Sequence, residues 1–203
     1  DTFTQEFRLN GEGDGSRWVA GIYLLSIDNK SDNGLKAPGN SIVGPLDIGA
    51  IGNLETESLS IFGQYEYDLS DNLTMIVGAR LMEEEKEYEY SVGVQPSFSS
   101  MSIHGLGSNW FPGAGYFDDE SSQTLWAGNI QFQWQNSEGL MTYAGFRRGV
   151  KAASYNMALI GSYYAAGANA GVPYDEEILN AYEAGFKWSL SDSTRINGTI
   201  YYY

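Results

Sequence analysis

The sequence predicts an all-β fold, in which about eight antiparallel up-and-down strands form part of a transmembrane β-barrel. Three observations predict it. Apolar and polar residues alternate with a period of two in successive segments, as they do when side chains leave opposite faces of a strand. Tight turns and long irregular segments follow each other in strict alternation, which is typical of outer-membrane barrels. No apolar run approaches the roughly 20 residues that a membrane-spanning helix needs.

The clearest hairpin lies in the segment 57–90. In its first half, one face of the predicted strand carries Leu59, Ile61, Gly63, Tyr65, Tyr67 and Leu69. The residues between them are mostly polar, as the solvated face of a strand requires. The segment Ser70 to Asn72 has the composition of a tight turn. The alternation resumes from Leu73 to Leu81, which predicts a returning strand that the acidic run 83–89 extends into solvent.

The remaining strands are predicted on the same grounds, except that the alternation within 140–151 is too poor to assign its two faces. They span 2–9, 16–27, 123–135, 140–151, 177–190 and 194–203. Long irregular segments separate some of them, at 28–56, 91–122 and 152–176. Alternate connections of an up-and-down sheet lie on the same rim, so we expect the long segments on one rim and the tight turns on the other. Both chain ends fall within predicted strands, so residues 1–203 are expected to be an internal piece of one β-barrel domain.

The aromatic residues agree with a membrane-spanning strand. Trp126 and Trp134 fall on the same predicted face, eight positions apart, which is about 26 Å along a strand. Allowing for strand tilt, this spacing matches an outward apolar band bordered by aromatic girdles. A soluble β-sandwich would place aromatic residues with the same parity, but it would not alternate long and short connections so strictly.

Composition excludes several classes of function. A formal net charge of −15 and a pI of about 4.2 disfavour a nucleic-acid partner. The absence of cysteine excludes disulfides, thiolate metal sites and a cysteine nucleophile. His104 is the only histidine, and the sequence around it shows no nucleophile–base arrangement. We therefore expect no enzyme activity, no metal site and no cofactor.

Four stretches resemble hairpins of the TonB-dependent outer-membrane receptors, and they occur in the order of that family. They are Gln5 to Leu9 with Trp18 to Tyr23, Ser60 to Tyr65 with Gly78 to Lys86, Tyr143 to Asn156, and Tyr174 to Lys187. The resemblance implies a 22-stranded barrel of a Gram-negative outer membrane, plugged by an N-terminal domain. It also implies import of a scarce small molecule, such as an iron–siderophore complex, driven by the inner-membrane TonB complex. The plug and the closing strands would lie outside these 203 residues.

Two groups of candidate site residues follow from this resemblance. The inward, polar face is expected to contact the plug or line the lumen, and it includes Arg17, Gln64, Glu66, Arg80, Glu183 and Lys187. A hydrated wall with internally paired charges is the alternative for these residues. The long segments of the outer rim carry aromatic residues suited to ligand capture, namely Trp110, Phe111, Tyr116, Tyr163 and Tyr164. Packing of the loops on one another is the alternative for this second group.

A second architecture stays open at this point. The aromatic segment 198–203 resembles an assembly signal at the end of a complete eight-stranded outer-membrane barrel with a structural or adhesive role. Such a barrel would need to turn Tyr201 and Tyr203 toward lipid, yet Ile200 and Tyr202 favour that side. The interpretation as part of a larger receptor is therefore preferred.

Overall fold

A computed structural model of the chain describes residues 1–37, 46–94, 116–155 and 173–203. These residues form strands joined by turns. The strands are β1 (Thr2–Gly13), β2 (Ser16–Ala37), β3 (Leu46–Ser70), β4 (Leu73–Val94), β5 (Tyr116–Ser137), β6 (Leu140–Lys151), β7 (Ser154–Tyr155), β8 (Pro173–Tyr174), β9 (Glu177–Ser191) and β10 (Thr194–Tyr202). Within these ranges, no helix is long and apolar enough to cross a membrane.

Eight of the strands form one antiparallel sheet in the order β1-β2-β3-β4-β5-β6-β9-β10. Each strand pairs with its neighbour in sequence, except that β7 and β8 form a separate two-stranded sheet between β6 and β9. The predicted all-β, up-and-down fold is therefore confirmed. The strands β1 and β10 are the two edges of the sheet, so the described strands do not close into an eight-stranded barrel.

Two-residue turns join the paired strands at one end of the strands, as the sequence predicts. Gly15 and Gly139 occupy the second turn position with φ of 62° and 84°, a conformation that favours glycine because it has no Cβ. At Gly139 the chain also runs close to β9, and a Cβ there would lie 2.8 Å from the carbonyl oxygen of Ser189. This close approach fixes the junction between the β5–β6 turn and the neighbouring strand.

The strands extend much further than the sequence pattern indicated. The predicted irregular segment 28–56 is mostly strand, since β2 continues to Ala37 and β3 begins at Leu46. Likewise, β4 continues to Val94 and β5 begins at Tyr116, inside the segment predicted as irregular. Glycine, asparagine and aspartate have low strand propensity, but pairing with β3 along the outer half of β2, and with strands on both sides along β3 and β4, outweighs that preference. The predicted connections of 25 or more residues are therefore too long at these two positions.

Cross-strand register sorts the side chains into two faces, because directly paired residues point to the same side. The face defined here as the apolar face contains the row Trp18, Tyr65, Val77, Ile130, Phe146, Tyr182 and Tyr202. The opposite, polar face contains the row Glu12, Arg17, Glu66, Ile76, Gln131, Gly145, Glu183 and Tyr201. The register also assigns the faces of β6, whose sequence pattern was ambiguous.

The large apolar side chains are exposed instead of forming a core. Phe7, Trp126 and Trp134 of the apolar face expose 62%, 52% and 53% of their surface. Among the described residues, only Tyr88, Leu125 and Tyr155 are buried hydrophobic residues. A sheet that leaves a continuous apolar face uncovered requires another apolar medium against it.

Candidate functional site

The six residues predicted to face the lumen or plug lie together on the polar face. Register places Arg17 beside Glu66, and two positions further along β3 it places Gln64 beside Val19. Arg80 pairs with Phe62 on the same face. Glu183 lies level with Gln131 across β6, and Lys187 follows four positions later on β9. The register of the sheet therefore places all six residues on one face, whereas their contact with a plug remains a prediction.

This face is concave. A hollow of about 920 Å³ is lined by Arg8 of β1, Arg80 of β4, Arg147 of β6, Glu183 of β9 and Tyr203 after β10. Residues from both edges of the sheet can share one hollow only if the sheet curves toward this side. We call this space the polar hollow. Its curvature matches the inside of a barrel, where strands tilt and coil around an axis.

Arginines that line the polar hollow contact aromatic rings two strands away in the sheet. The guanidinium carbon of Arg80 lies 5.2 Å from the ring centroid of Tyr23, and that of Arg8 lies 5.9 Å from that of Phe62. The Nε atom of Arg80 is buried and has no hydrogen-bond partner among the described residues. These arginines are held by cation–π contacts, and Arg80 keeps a donor available for a further group.

A hydrogen-bond network forms the other wall of the polar hollow. Arg147 donates from Nη2 to Oε1 of Gln131 at 3.1 Å, and its Nη1 lies 3.7 Å from Oε2 of Glu183. The Tyr143 hydroxyl donates to Oε1 of Glu183 at 2.8 Å and lies 2.8 Å from the Thr199 hydroxyl. Both oxygens of Glu183 are therefore engaged. This carboxylate links β5, β6, β9 and β10 and fixes the orientation of Arg147.

The part of the polar face near the two-residue turns is more solvated. Arg17 forms an ion pair with Glu66 directly across the β2–β3 register, and 67% of the Arg17 side chain stays exposed. Gln64 and Lys187 are also exposed. Exposed ion pairs contribute little to stability, so these residues fit the hydrated-wall alternative as well as they fit plug contact.

The chemistry of the polar hollow is that of recognition. It presents guanidinium groups and amides, which bind anionic or oxygen-rich groups by hydrogen bonds and charge. The described residues hold no cluster of three or more His, Cys, Asp or Glu that could bind a metal ion. His104, the only histidine of the sequence, lies outside the described residues.

A second cluster on the polar face was missed by the sequence reasoning. Lys86 and Tyr88 on β4 expose only 7% and 1% of their surface, although they lie within the acidic run predicted to be solvated. Tyr155 of β7 stacks on Tyr88, with centroids 4.7 Å apart and planes 7° from parallel. Lys86 forms an ion pair with Glu84 on the same face. The sequence did contain a signal for this cluster: Lys86 and Tyr88 are even-numbered positions of β4, like Arg80, which places all three on the polar face.

This cluster anchors the segment after β6 to the wall of the sheet. The Ala153 amide donates to Oε1 of Gln123 at 2.9 Å, which adds a hydrogen bond to the Tyr88–Tyr155 stack. Burial raises the pKa of the Tyr155 hydroxyl, with the hydrogen bond to Ser121 opposing that effect and the charge of Asp119 adding to it. The neutral phenol is therefore the form that the docked segment favours.

The aromatic residues predicted for ligand capture cannot be placed. Trp110, Phe111, Tyr163 and Tyr164 lie outside the described residues. Tyr116 begins β5, but its side chain is not among those described. Their role at an outer mouth stays a prediction.

Comparisons with known proteins place the fold in one family. The family model described as TonB dependent receptor-like, beta-barrel matches residues 1–203. The ferric yersiniabactin uptake receptor FyuA from Yersinia pestis superposes with a TM-score of 0.73 at 16% identity, over 98% of this chain and 28% of that receptor. The ferric-catecholate import receptor Fiu from E. coli K12 superposes with a TM-score of 0.64 at 15% identity, over 98% of this chain and 30% of that receptor. No curated protein matches the sequence.

Proposed function

This chain belongs to the TonB-dependent receptor β-barrel family, and from that membership we propose that it serves an outer-membrane receptor that imports a scarce ligand. The chain spans less than a third of the length of the two solved receptors it resembles. The whole-receptor activity is therefore proposed for the longer protein, with residues 1–203 as one part of its barrel domain.

The exposed apolar face is the single observation that carries this proposal. The sheet leaves a continuous surface of large apolar side chains without any cover from the described chain. Contact with lipid hydrocarbon removes that surface from water and leaves the concave polar face toward a lumen. The two-residue turns then face the periplasm and the longer connections face the outside.

The polar hollow is proposed to contact the plug domain. Arg80 has a buried Nε without a partner, and Arg147 is oriented by Glu183, so both arginines present donors toward the lumen. Acidic or backbone oxygens of a plug would satisfy them. Arg17, Gln64 and Lys187 lie exposed on the same face, and Glu66 is half-buried in its ion pair with Arg17, which favours weaker, hydrated contacts.

The proposed ligand is an iron–siderophore complex, and the proposed energy source is the inner-membrane TonB complex acting through the plug. The two solved receptors are named for uptake of ferric yersiniabactin and import of a ferric catecholate. Since those likenesses are at 15–16% identity, they support the fold directly and the ligand only by analogy. Trp110, Phe111, Tyr116, Tyr163 and Tyr164 are proposed as capture residues of the outer mouth, and no catalytic step is proposed.

The test is uptake by cells whose own ferric-chelate receptors are deleted. The full-length receptor containing this chain is expressed, and radioactive iron is supplied as catecholate, phenolate or hydroxamate chelates, with labelled cobalamin as the contrast. We expect saturable uptake of one ferric chelate that stops when the TonB complex is removed. Uptake of cobalamin alone would contradict the choice of ligand. Absence of the protein from the outer-membrane fraction would contradict the receptor proposal itself.

A further inference from the structure

Arg148 lies on the apolar face, whereas most of the other positively charged residues lie on the polar face. Eight of the 11 Lys and Arg residues follow the parity of the polar face. Lys30 and Lys36 follow the opposite parity, but they lie on β2 beyond the exposed apolar residues. Arg148 lies among those apolar residues, between Gly128 and Asn180 in the register of β5, β6 and β9. A charged residue within a lipid-facing surface requires a specific explanation.

The surroundings of Arg148 offer no counter-ion. On the apolar face, the cross-strand row two positions before Arg148 contains Ile130, Phe146 and Tyr182. The row two positions after it contains Leu81, Trp126, Val150 and Ile178. Neither row contains an acidic residue. The Nη1 atom of Arg148 is buried, with no hydrogen-bond partner among the described residues. A buried donor without an acceptor is costly, so an acceptor from outside the chain is expected.

Trp126 orients the guanidinium. The Arg148 guanidinium carbon lies 4.2 Å from the Trp126 ring centroid, which is within the range of a cation–π contact. Gly128 pairs directly with Arg148, and Trp126 lies two positions further along β5 on the same face, so the guanidinium reaches the indole diagonally. Asn180, the other register partner of Arg148, is exposed and adds an amide at the same level. Together, Arg148, Trp126 and Asn180 are called the Arg148 site.

The position along the strand places the Arg148 site near a membrane surface. The apolar face of β6 runs from Leu140 beside the two-residue turn to Arg148, eight positions later. That separation is about 26 Å along the strand and about 20 Å along the membrane normal at a tilt of ~40°. Since the apolar band of such barrels is about 25 Å tall, the guanidinium lies near its edge on the side of the long connections.

We propose that the Arg148 site binds the headgroup phosphate of an anionic lipid in the outer leaflet, an inference that rests on the proposed membrane orientation. The planar guanidinium presents two parallel donors that match phosphate oxygens, and the indole holds its plane in place. The acyl chains of the same lipid cover the apolar residues toward the two-residue turns. An isolated phosphate ion lacks that apolar contact, so the site selects a lipid over free phosphate.

The experiment measures lipid retained by the full-length receptor. Purified receptor is equilibrated with mixed micelles of phosphatidylglycerol and phosphatidylcholine, and the bound lipid is counted by native mass spectrometry. Arg148→Gln is expected to lower phosphatidylglycerol retention about fivefold, the change associated with one basic residue near an anionic surface. Arg147→Gln is the matched control, because it removes the same charge one position away on the polar face. It is expected to leave lipid retention unchanged.

Two further variants keep the outcome interpretable. Arg148→Lys keeps the charge but loses the paired donors, and Trp126→Leu keeps the apolar volume but loses the cation–π contact, so both are expected to fall between wild type and Arg148→Gln. Equal retention by wild type and Arg148→Gln would overturn the proposal, as would saturable binding of inorganic phosphate that depends on Arg148. Uptake of the ferric chelate is measured on the same proteins and is expected to be unaffected by Arg148→Gln. A wild-type receptor that does not enter bilayers would overturn the receptor proposal and this inference together.

Discussion

Arg147 and Arg148 are neighbours on β6, yet they occupy opposite chemical environments. Arg147 is oriented by Gln131 and Glu183 in a network of hydrogen bonds and charge on the polar face. Arg148 lies among apolar residues against Trp126, without an acidic neighbour in the flanking rows. The difference shows that in this sheet the face of a residue, more than its type, decides its role. A shift of one position along the strand moves a charge from the polar face to the apolar face.

The largest effect is expected from placing a new charge at the centre of the apolar face. Val77→Arg puts a guanidinium on the apolar face of β4, midway between Leu73 and Leu81, where the proposed lipid contact makes the cost about 2–4 kcal/mol of folding free energy. Ile76→Arg is the matched control, since Ile76 is the preceding β-branched residue and lies on the polar face beside Glu66. Urea unfolding of the full-length receptor in lipid vesicles measures both. Equal destabilisation by the two variants would contradict the assignment of faces.

A smaller effect is expected from removing the carboxylate that organises the polar face. Glu183→Ala leaves Arg147 and Tyr143 without their shared partner, which we expect to cost about 1–2 kcal/mol. Glu177→Ala removes another carboxylate of β9, whose ion pair with Lys151 is exposed on both sides. The same unfolding assay should show no measurable change for Glu177→Ala. If both variants behave alike, the network around Glu183 has no special role.

The smallest effect concerns the segment anchored by Tyr155. Because burial raises the pKa of this hydroxyl, docking is at full strength below the pKa of an ordinary tyrosine and weakens as the pH rises through the raised value. A spin label at position 152 should therefore become more mobile in an alkaline titration from about pH 8 to pH 11. Tyr155→Phe keeps the stack on Tyr88 and should remove this pH dependence. An identical titration curve for the variant would assign the change to another group.

The sequence was sufficient for the features that depend on strict alternation. The parity of β3 and β5 predicted both faces, and the polar turn residues predicted the tight connections, because each of these signals is local. The length of β2 and β3 was not predictable, since pairing with neighbours outweighs the low strand propensity of their outer halves. The burial of Tyr88 was missed for a similar reason: it depends on the stack with Tyr155, which lies far along the chain.

The faces of β6 were the other failure. Its two adjacent arginines, Arg147 and Arg148, interrupt the alternation, and only the register with β5 and β9 assigns one to each face. An arginine on the apolar face interrupts the alternation on which a sequence-based prediction depends. Its contact with Trp126 and the proposed lipid phosphate account for its position.

Accessibility along β5 tests the central claim most directly. The chain has no cysteine, so single cysteines introduced from Trp126 to Trp134 in the full-length receptor can each carry a spin label without background from this region. In lipid vesicles, we expect even-numbered positions to be relaxed by oxygen dissolved in the bilayer and odd-numbered positions by a water-soluble nickel chelate. A profile with a period of two would confirm that the apolar face contacts lipid and the polar face contacts water. Uniform access of the nickel chelate to all nine positions would contradict it.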